Sequence, residues 1–398
     1  MLTYRRPSAL RLLALAFALV TGLSMVLGAV LSEARAQTAP QYNFTKVADS
    51  VEDGFDPTSF GCAAINTRGD IAFKAGRLAP DGFNTIHGIY RANADGTLTT
   101  IAEDQKRFRF IGFNPSINDL GQVSFAARLD GGKKDDTEAI LRGDGKKLTT
   151  IATTGDRFNF FGFDTSINNS GEVAFTAELD EEFGFDEGLF SGSGDKSGVT
   201  THYLTSTSDF DGSDSRPSIN NLGDIAFVES IAFDRGIFVG REGDFTPIVA
   251  PDPSDPSLGF GVPILNDAGT AAFQRSFFDE ANQVFVEQIV TIEADGTPTV
   301  VADTRGTFAF FGFRPPSINN DGDVAFHATL DDGTSGIFVG ADQVIGTGDT
   351  LDGSTVQNLT FCEEGLSDSG ELAFVATLED PNTPEGFRIA VFRATPEP

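Results

Sequence analysis

Apolar and other side chains alternate in seven separate stretches of this chain. Val324, Phe326, Ala328 and Leu330 fall on one face of such a stretch, as do Val123, Phe125, Ala127 and Leu129, and Val173, Phe175, Ala177 and Leu179. A period of two predicts a strand. The residue between the first two is Ala72, Ala174, Ala226, Ala272, Ala325 or Ala373, with Ser124 as the exception. A large side chain on one face and a near-constant Ala on the other suit a sheet packed on both sides, with little room on the second.

A turn signal precedes each strand: Asn66 with Gly69, Asn118 with Gly121, Asn168 with Gly171, Asn220 with Gly223, Asn266 with Gly269 and Asn319 with Gly322, and then Ser367 with Gly370. In Asn-x-x-Gly the Asn side chain can bond forward to the backbone and the Gly can take positive φ, which closes a hairpin. The glycines are spaced by 52, 50, 52, 46, 53 and 48 residues. A period near fifty is that of a propeller blade.

Three more strands are expected in each unit. One precedes the turn, clearest in Phe108–Phe113, Phe158–Phe163 and Phe308–Phe313. A third follows the alternating strand, as in 236–240 and 336–340, and a fourth reads Leu98–Ala102, Leu148–Ala152 or Thr297–Ala302. Four short antiparallel strands make a blade, and seven blades can close radially. The seventh unit ends after Ile389–Phe392 without its fourth strand, while Asn43–Asp49 is a surplus copy of that strand at the front. The expected fold is therefore an all-β seven-bladed propeller of four-stranded antiparallel blades, its ring closed by the N-terminal strand completing blade seven. An open β-solenoid is the structural alternative, but it needs no complementary halves at its ends.

The repeat resembles that of the tandem-repeat secreted or surface proteins defined by Asn-x-x-Gly-x-x-Ala-Phe, and the match runs from about Tyr42 to Phe392. That resemblance implies an exported, propeller-like protein whose relatives differ in how they are anchored and whose biochemical role is not established. The final Thr395-Pro396-Glu397-Pro398 is similar to the start of a Pro-Glu-Pro sorting tail, but no apolar helix or basic end follows it, and no anchor is inferred.

The N-terminal residues read as a secretory signal: Arg5, Arg6 and Arg11, an apolar run from Leu12 to Leu31, and Ala34-Arg35-Ala36 before Gln37. An uncleaved membrane anchor is the alternative. Residues 1–36 are assigned to the signal and 37–398 to a single propeller domain, expected to be exported to the periplasm, cell surface or medium and to be a monomer. The remaining chain carries 24 Lys and Arg against 57 Asp and Glu. With no basic stretch to offset phosphate repulsion, nucleic acid is excluded as a partner.

Cys62 and Cys362 are the only cysteines. Phe60-Gly61-Cys62 aligns with Ile111-Gly112-Phe113, and Cys362 precedes Ser367 by the same five residues that separate Phe113 from Asn118. Both thus sit on the strand before the turn, in units one and seven, which are neighbours only if the ring closes. A disulfide is expected, with Cα atoms about 5.5 Å apart; two buried free thiols are the alternative.

Candidate chemistry is sparse. Asp209, Asp211 and Asp214 offer oxygen ligands at spaced positions around Gly212, so calcium is the one cofactor suggested, although Asn220 stands where an EF-hand loop needs Glu. His87, His202 and His327 lie in different units without metal-ligand spacing. No nucleophile elbow is present, and no catalytic residue is assigned. The recurrent Phe-x-Phe-Phe-Gly-Phe runs read as shared packing rather than a ligand platform. The repeat is broken at Phe183–Asp186 and at the long hairpin Ser276–Phe285, where binding residues are best sought. The expected function is an exported binding or structural module for a protein or surface ligand. A propeller hydrolase or lyase with calcium in its channel, and a cell-surface adhesive protein, are the alternatives.

Overall fold

The alternating strands are buried on both faces because neighbouring blades clamp them. The computed structural model describes residues 41–397 apart from 80–83, 105–106, 132–135, 156, 181–185, 196–197, 213–215, 253–258 and 294–295. Seven antiparallel sheets follow one another along the chain. Blade 1 is Ala63–Ile65, Ile71–Leu78, Thr85–Ala92 and Leu98–Glu103 in order from the inside. Blade 7 is Ser354–Thr360, Leu372–Glu379, Phe387–Pro396 and, outermost, the N-terminal Tyr42–Asp49.

The two faces of each second strand serve two different interfaces. Phe73, Phe125, Phe175, Phe227, Phe273, Phe326 and Phe374 point into the blade's own core, while the intervening Ala or Ser positions are all fully enclosed. Ala72 packs with Phe125 and Ile117 of blade 2, and Ala373 packs with Phe73 and Tyr90 of blade 1. The interface between blades 7 and 1 thus has the same composition as that between blades 1 and 2, as a closed ring requires.

The edges meet in a full ladder. Tyr42 pairs with Pro396, Phe44 with Ala394 and Asp49 with Ala390, with a bulge near Lys46. At its end Asp49, 1 % exposed, accepts from Arg388 Nη1 at 2.5 Å. Burial opposes ionisation of Asp49, but the amides of Val51 and Glu52 and the Arg388 guanidinium hold its carboxyl below the usual range. Cys62, just before the inner strand of blade 1, and Cys362, just after that of blade 7, are joined by a disulfide with Cα atoms 5.8 Å apart. Among the described residues no helix is long and apolar enough to cross a membrane.

One expectation needs correction. The Phe-rich inner strands do not serve packing alone, because each carries a bulge: Phe108 opposes Leu129 but Phe110 opposes Arg128, and the same slip occurs at Phe158/Phe160 and Phe308/Phe310. An inserted residue shifts the side-chain phase. Phe108, Phe158, Phe161, Phe308 and Phe311 therefore point inward, whereas Phe113, Phe160, Phe163 and Phe313 are exposed.

Candidate functional site

The seven turns converge on the channel axis. Every turn glycine has φ between 73° and 86°, which a side chain would strain. In each Asn turn Oδ1 accepts forward amides, as Asn118 does from Leu120 at 3.1 Å and Gln122 at 2.9 Å. The Nδ2 group then reaches the next blade. Asn66 donates to the Asn118 carbonyl, Asn118 to Asn168, Asn168 to Asn220, Asn220 to Asn266 and Asn266 to Asn319, at 2.9–3.2 Å. Ser367 has no such arm, and Asn319 instead donates to Asp323. The turn asparagines therefore stitch the ring as well as turning the chain.

A second tier is built by the residue after each Asn. Asp119 accepts from the amide of Thr67, Asp267 from Asn221 and Asp368 from Asn320, while Asn169 and Asn320 bridge laterally between neighbours. These residues rim a cavity of about 140 Å³ whose floor is a ring of aliphatic side chains, Ile65, Ile117, Ile167, Ile219, Leu265, Ile318 and Leu366. Burial raises the Asp368 carboxyl, and repulsion from Asp119 and Asp267 adds to this. Burial likewise opposes ionisation of Asp119, but bonds from Thr67 and Asn169 hold it below the usual range.

Below the aliphatic ring lies a charged cluster. Ser116, Ser166, Ser218 and Ser317 each accept an amide of the following blade, at 3.0–3.2 Å. Blade 1 has Ala64 at this position. There the Glu364 carboxylate, reaching from blade 7, accepts from Ile117 and Ser116. Burial pushes Glu364 up to about 7 against the pull of Arg216 and of those two donors. Arg216 crosses from blade 4 to pair with Glu363 of blade 7 and lies 4.0 Å from Asp164. Asn114 donates to Asp164 at 2.7 Å and accepts from Arg314 at 3.4 Å.

The phenylalanines turned outward by the bulges surround this end of the channel. Phe110 contacts Phe113 at 5.5 Å between centroids and Phe163 of the next blade at 5.8 Å, and Phe163 contacts Phe160 at 5.7 Å. Phe310 and Phe313 form a further pair on blade 6. Lys74 Nζ lies 4.0 Å from the Phe113 ring centre. Because antiparallel pairing puts every hairpin between second and third strands at this same end, Phe233 and Phe285 join the same face. Phe233 is 91 % exposed at a two-residue turn, and Phe313 is 95 % exposed. Among the described residues, the six exposed phenylalanines thus belong to one face. The side-chain period announced these residues only once the bulge was known.

The other sequence candidates are placed as follows. Asp211 accepts the Phe233 amide at 2.6 Å, which fixes the hairpin, and Asp209 is exposed. Asp214 lies outside the described residues, as do 183–185 of the broken repeat. Asp186 accepts from Thr205 at 2.6 Å and from the Ser206 amide at 2.8 Å. The long blade 5 hairpin is present, with nine facing pairs from Ala271–Ile292 to Asp279–Val284. The three histidines remain apart. His202 meets a Ser: Nε2 lies 2.9 Å from Ser191 Oγ, and Ser191 donates to Glu172 at 2.5 Å. The Glu242 amide donates to Nδ1 at 3.0 Å, so the Nε2 proton points at Ser191. This is the reverse of base activation. Burial pushes His202 down to about 4.

Comparisons agree with the architecture. The propeller domain of the Trilobed protease from Pyrococcus furiosus, described as having an open velcro topology, superposes with a TM-score of 0.53 at 10% identity, over 84% of this chain and 92% of that one. Pyrococcus horikoshii acylaminoacyl peptidase gives a TM-score of 0.50 at 12% identity over 81% of this chain and 51% of its own, so the present chain spans about half of that enzyme's length. No curated protein matches the sequence. A family model covers residues 102–313, just over half of the chain, and the protein belongs to that family, DUF7453, a family of unknown function.

Proposed function

We propose that this chain is an exported, non-catalytic binding module of the Asn-x-x-Gly-x-x-Ala-Phe repeat type, which engages a protein or surface ligand through its phenylalanine face. The single observation that carries this reading is the asymmetry of exposure: Phe113, Phe160, Phe163, Phe233, Phe285 and Phe313 all lie on one face. Contiguous exposed aromatic surface marks interaction sites. The channel, by contrast, spends its polar groups on its own blades. Asp119, Asp267 and Asp368 each bond to a neighbouring turn, so the rim reads as ring closure repeated from blade to blade.

A calcium-dependent propeller hydrolase or lyase is the second reading, favoured only by those three facing carboxylates. A ligand and metal screen by thermal shift separates the two. Replacing Phe113, Phe163 and Phe313 together by Ser should abolish the shift given by a binding ligand, read against the variant's own unliganded melting temperature, which falls by the lost ring contacts of Phe113 and Phe163. A calcium-induced shift that survives this triple change and disappears in Asp368→Asn would instead establish the channel site.

A further inference from the structure

The Glu363 carboxylate is placed where a second kind of chemistry can occur. It follows Cys362 directly, in the turn after the inner strand of blade 7, and the disulfide brings Cys62 of blade 1 alongside. Both sulfurs and a carboxylate oxygen of Glu363 lie within 4.8 Å of one another, all three residues being buried. Glu363 is 2 % exposed, and its two oxygens differ: one pairs with Arg216, whereas Oε2 is buried with no hydrogen-bond partner. A dry carboxylate oxygen without a donor costs about 1–3 kcal/mol or more, and a cation is what such an atom lacks.

We propose that reduction of the Cys62–Cys362 bridge opens a metal site in which the two thiolates and Glu363 hold a zinc-class divalent ion. A dithiol reductant supplies the two electrons and two protons: the Sγ–Sγ bond breaks, both cysteines become thiols, and the reductant leaves as its own disulfide. The ion then displaces the two thiol protons to solvent. Two sulfurs and one carboxylate suit zinc, with water in the fourth tetrahedral position. Thiolates on one such ion lie about 3.8 Å apart, for Zn–S near 2.3 Å. Side-chain rotation reaches that separation when the Cα atoms are 5.8 Å apart. Arg216 then acts as an outer partner that orients the ligating carboxylate. Blades 1 and 7 stay tied in both redox states, by a covalent bond in one and by an ion in the other.

The test uses the full chain, oxidised or reduced with a dithiol, and Co²⁺ alone as the probe. The reduced chain should develop thiolate-to-cobalt charge-transfer absorption with the visible bands of a tetrahedral ion, and the oxidised chain should not. Glu363→Gln should weaken Co²⁺ binding by at least about tenfold, since even outer-shell partners are worth that much. This substitution also removes the partner of Arg216, so a second measurement uses the unaltered chain: Zn²⁺ should protect both reduced cysteines from alkylation. Absence of the charge-transfer band, equal alkylation with and without Zn²⁺, or unchanged affinity in a folded Glu363→Gln variant would each overturn the proposal.

Discussion

Replacing Asn118 by Ala and by Ser separates the two tasks of the turn asparagine. Asn118 is 3 % exposed. Its Oδ1 accepts from the amides of Leu120 and Gln122, and its Nδ2 donates to the Asn168 carbonyl of the next blade at 3.0 Å. Alanine removes these three bonds and a fourth, from Nδ2 to Gln122 Oε1 at 3.0 Å. At about 1 kcal/mol net for each, the loss is about 4 kcal/mol, rising where the Asn168 carbonyl is left dry. Serine keeps the bond to the Gln122 amide, because Ser367 in blade 7 already shows a hydroxyl accepting the equivalent amide, from Glu371 at 3.1 Å. The Leu120 bond and both Nδ2 bonds are then lost, a cost of about 3 kcal/mol. The assay is the urea midpoint of the two variants and the parent, at constant slope. A loss below about 0.5 kcal/mol for Ser, which cannot reach the Asn168 carbonyl, would refute the stitching role.

Further outcomes follow from the charged cluster and the closing strand. Glu364 has its folded-state pKa raised to about 7 from an ordinary 4.5, so its contribution is fully present below pH 4.5 and lost as pH rises through about 7. At 1.36 kcal/mol per unit this is on the order of 3 kcal/mol, and Glu364→Gln, which keeps an acceptor for Ile117, should flatten stability across that window. A slope identical to that of the parent would remove Glu364 as its source. Deleting residues 37–50 takes away the whole ladder to Phe387–Pro396 and the partner of Arg388. It should lower the melting temperature far more than deleting 394–398, and equal melting temperatures would contradict closure by this strand.

The repeat made most of the architecture legible. A period near fifty, a near-constant Ala beside a constant Phe, and complementary first and last units were enough to order seven blades, because each is a local pattern copied many times. What escaped was phase and partner. The bulge at Phe108/Phe110 reverses which rings face outward, and nothing in the Phe-rich runs marks the inserted residue. The Nδ2 arm of Asn118 finds a carbonyl fifty residues away, so local turn chemistry accounts for Oδ1 alone. Glu364 was hidden for a related reason: it substitutes for a hydroxyl missing at Ala64, in another blade. The stable positions of the repeat thus described the scaffold, while the cluster below the aliphatic ring came from positions where the repeat varies.

The closed ring itself is tested most directly by counting thiols. Cys62 and Cys362 are 300 residues apart in sequence yet bonded, an arrangement available only when blade 1 lies beside blade 7. In the chain-entropy model such a loop contributes on the order of 5–6 kcal/mol, an upper figure. The chain made under oxidising conditions and denatured without reductant should show no free thiol and should yield one cross-linked peptide containing both cysteines. Two free thiols per chain would contradict the bridge and, with it, the closure on which this account rests.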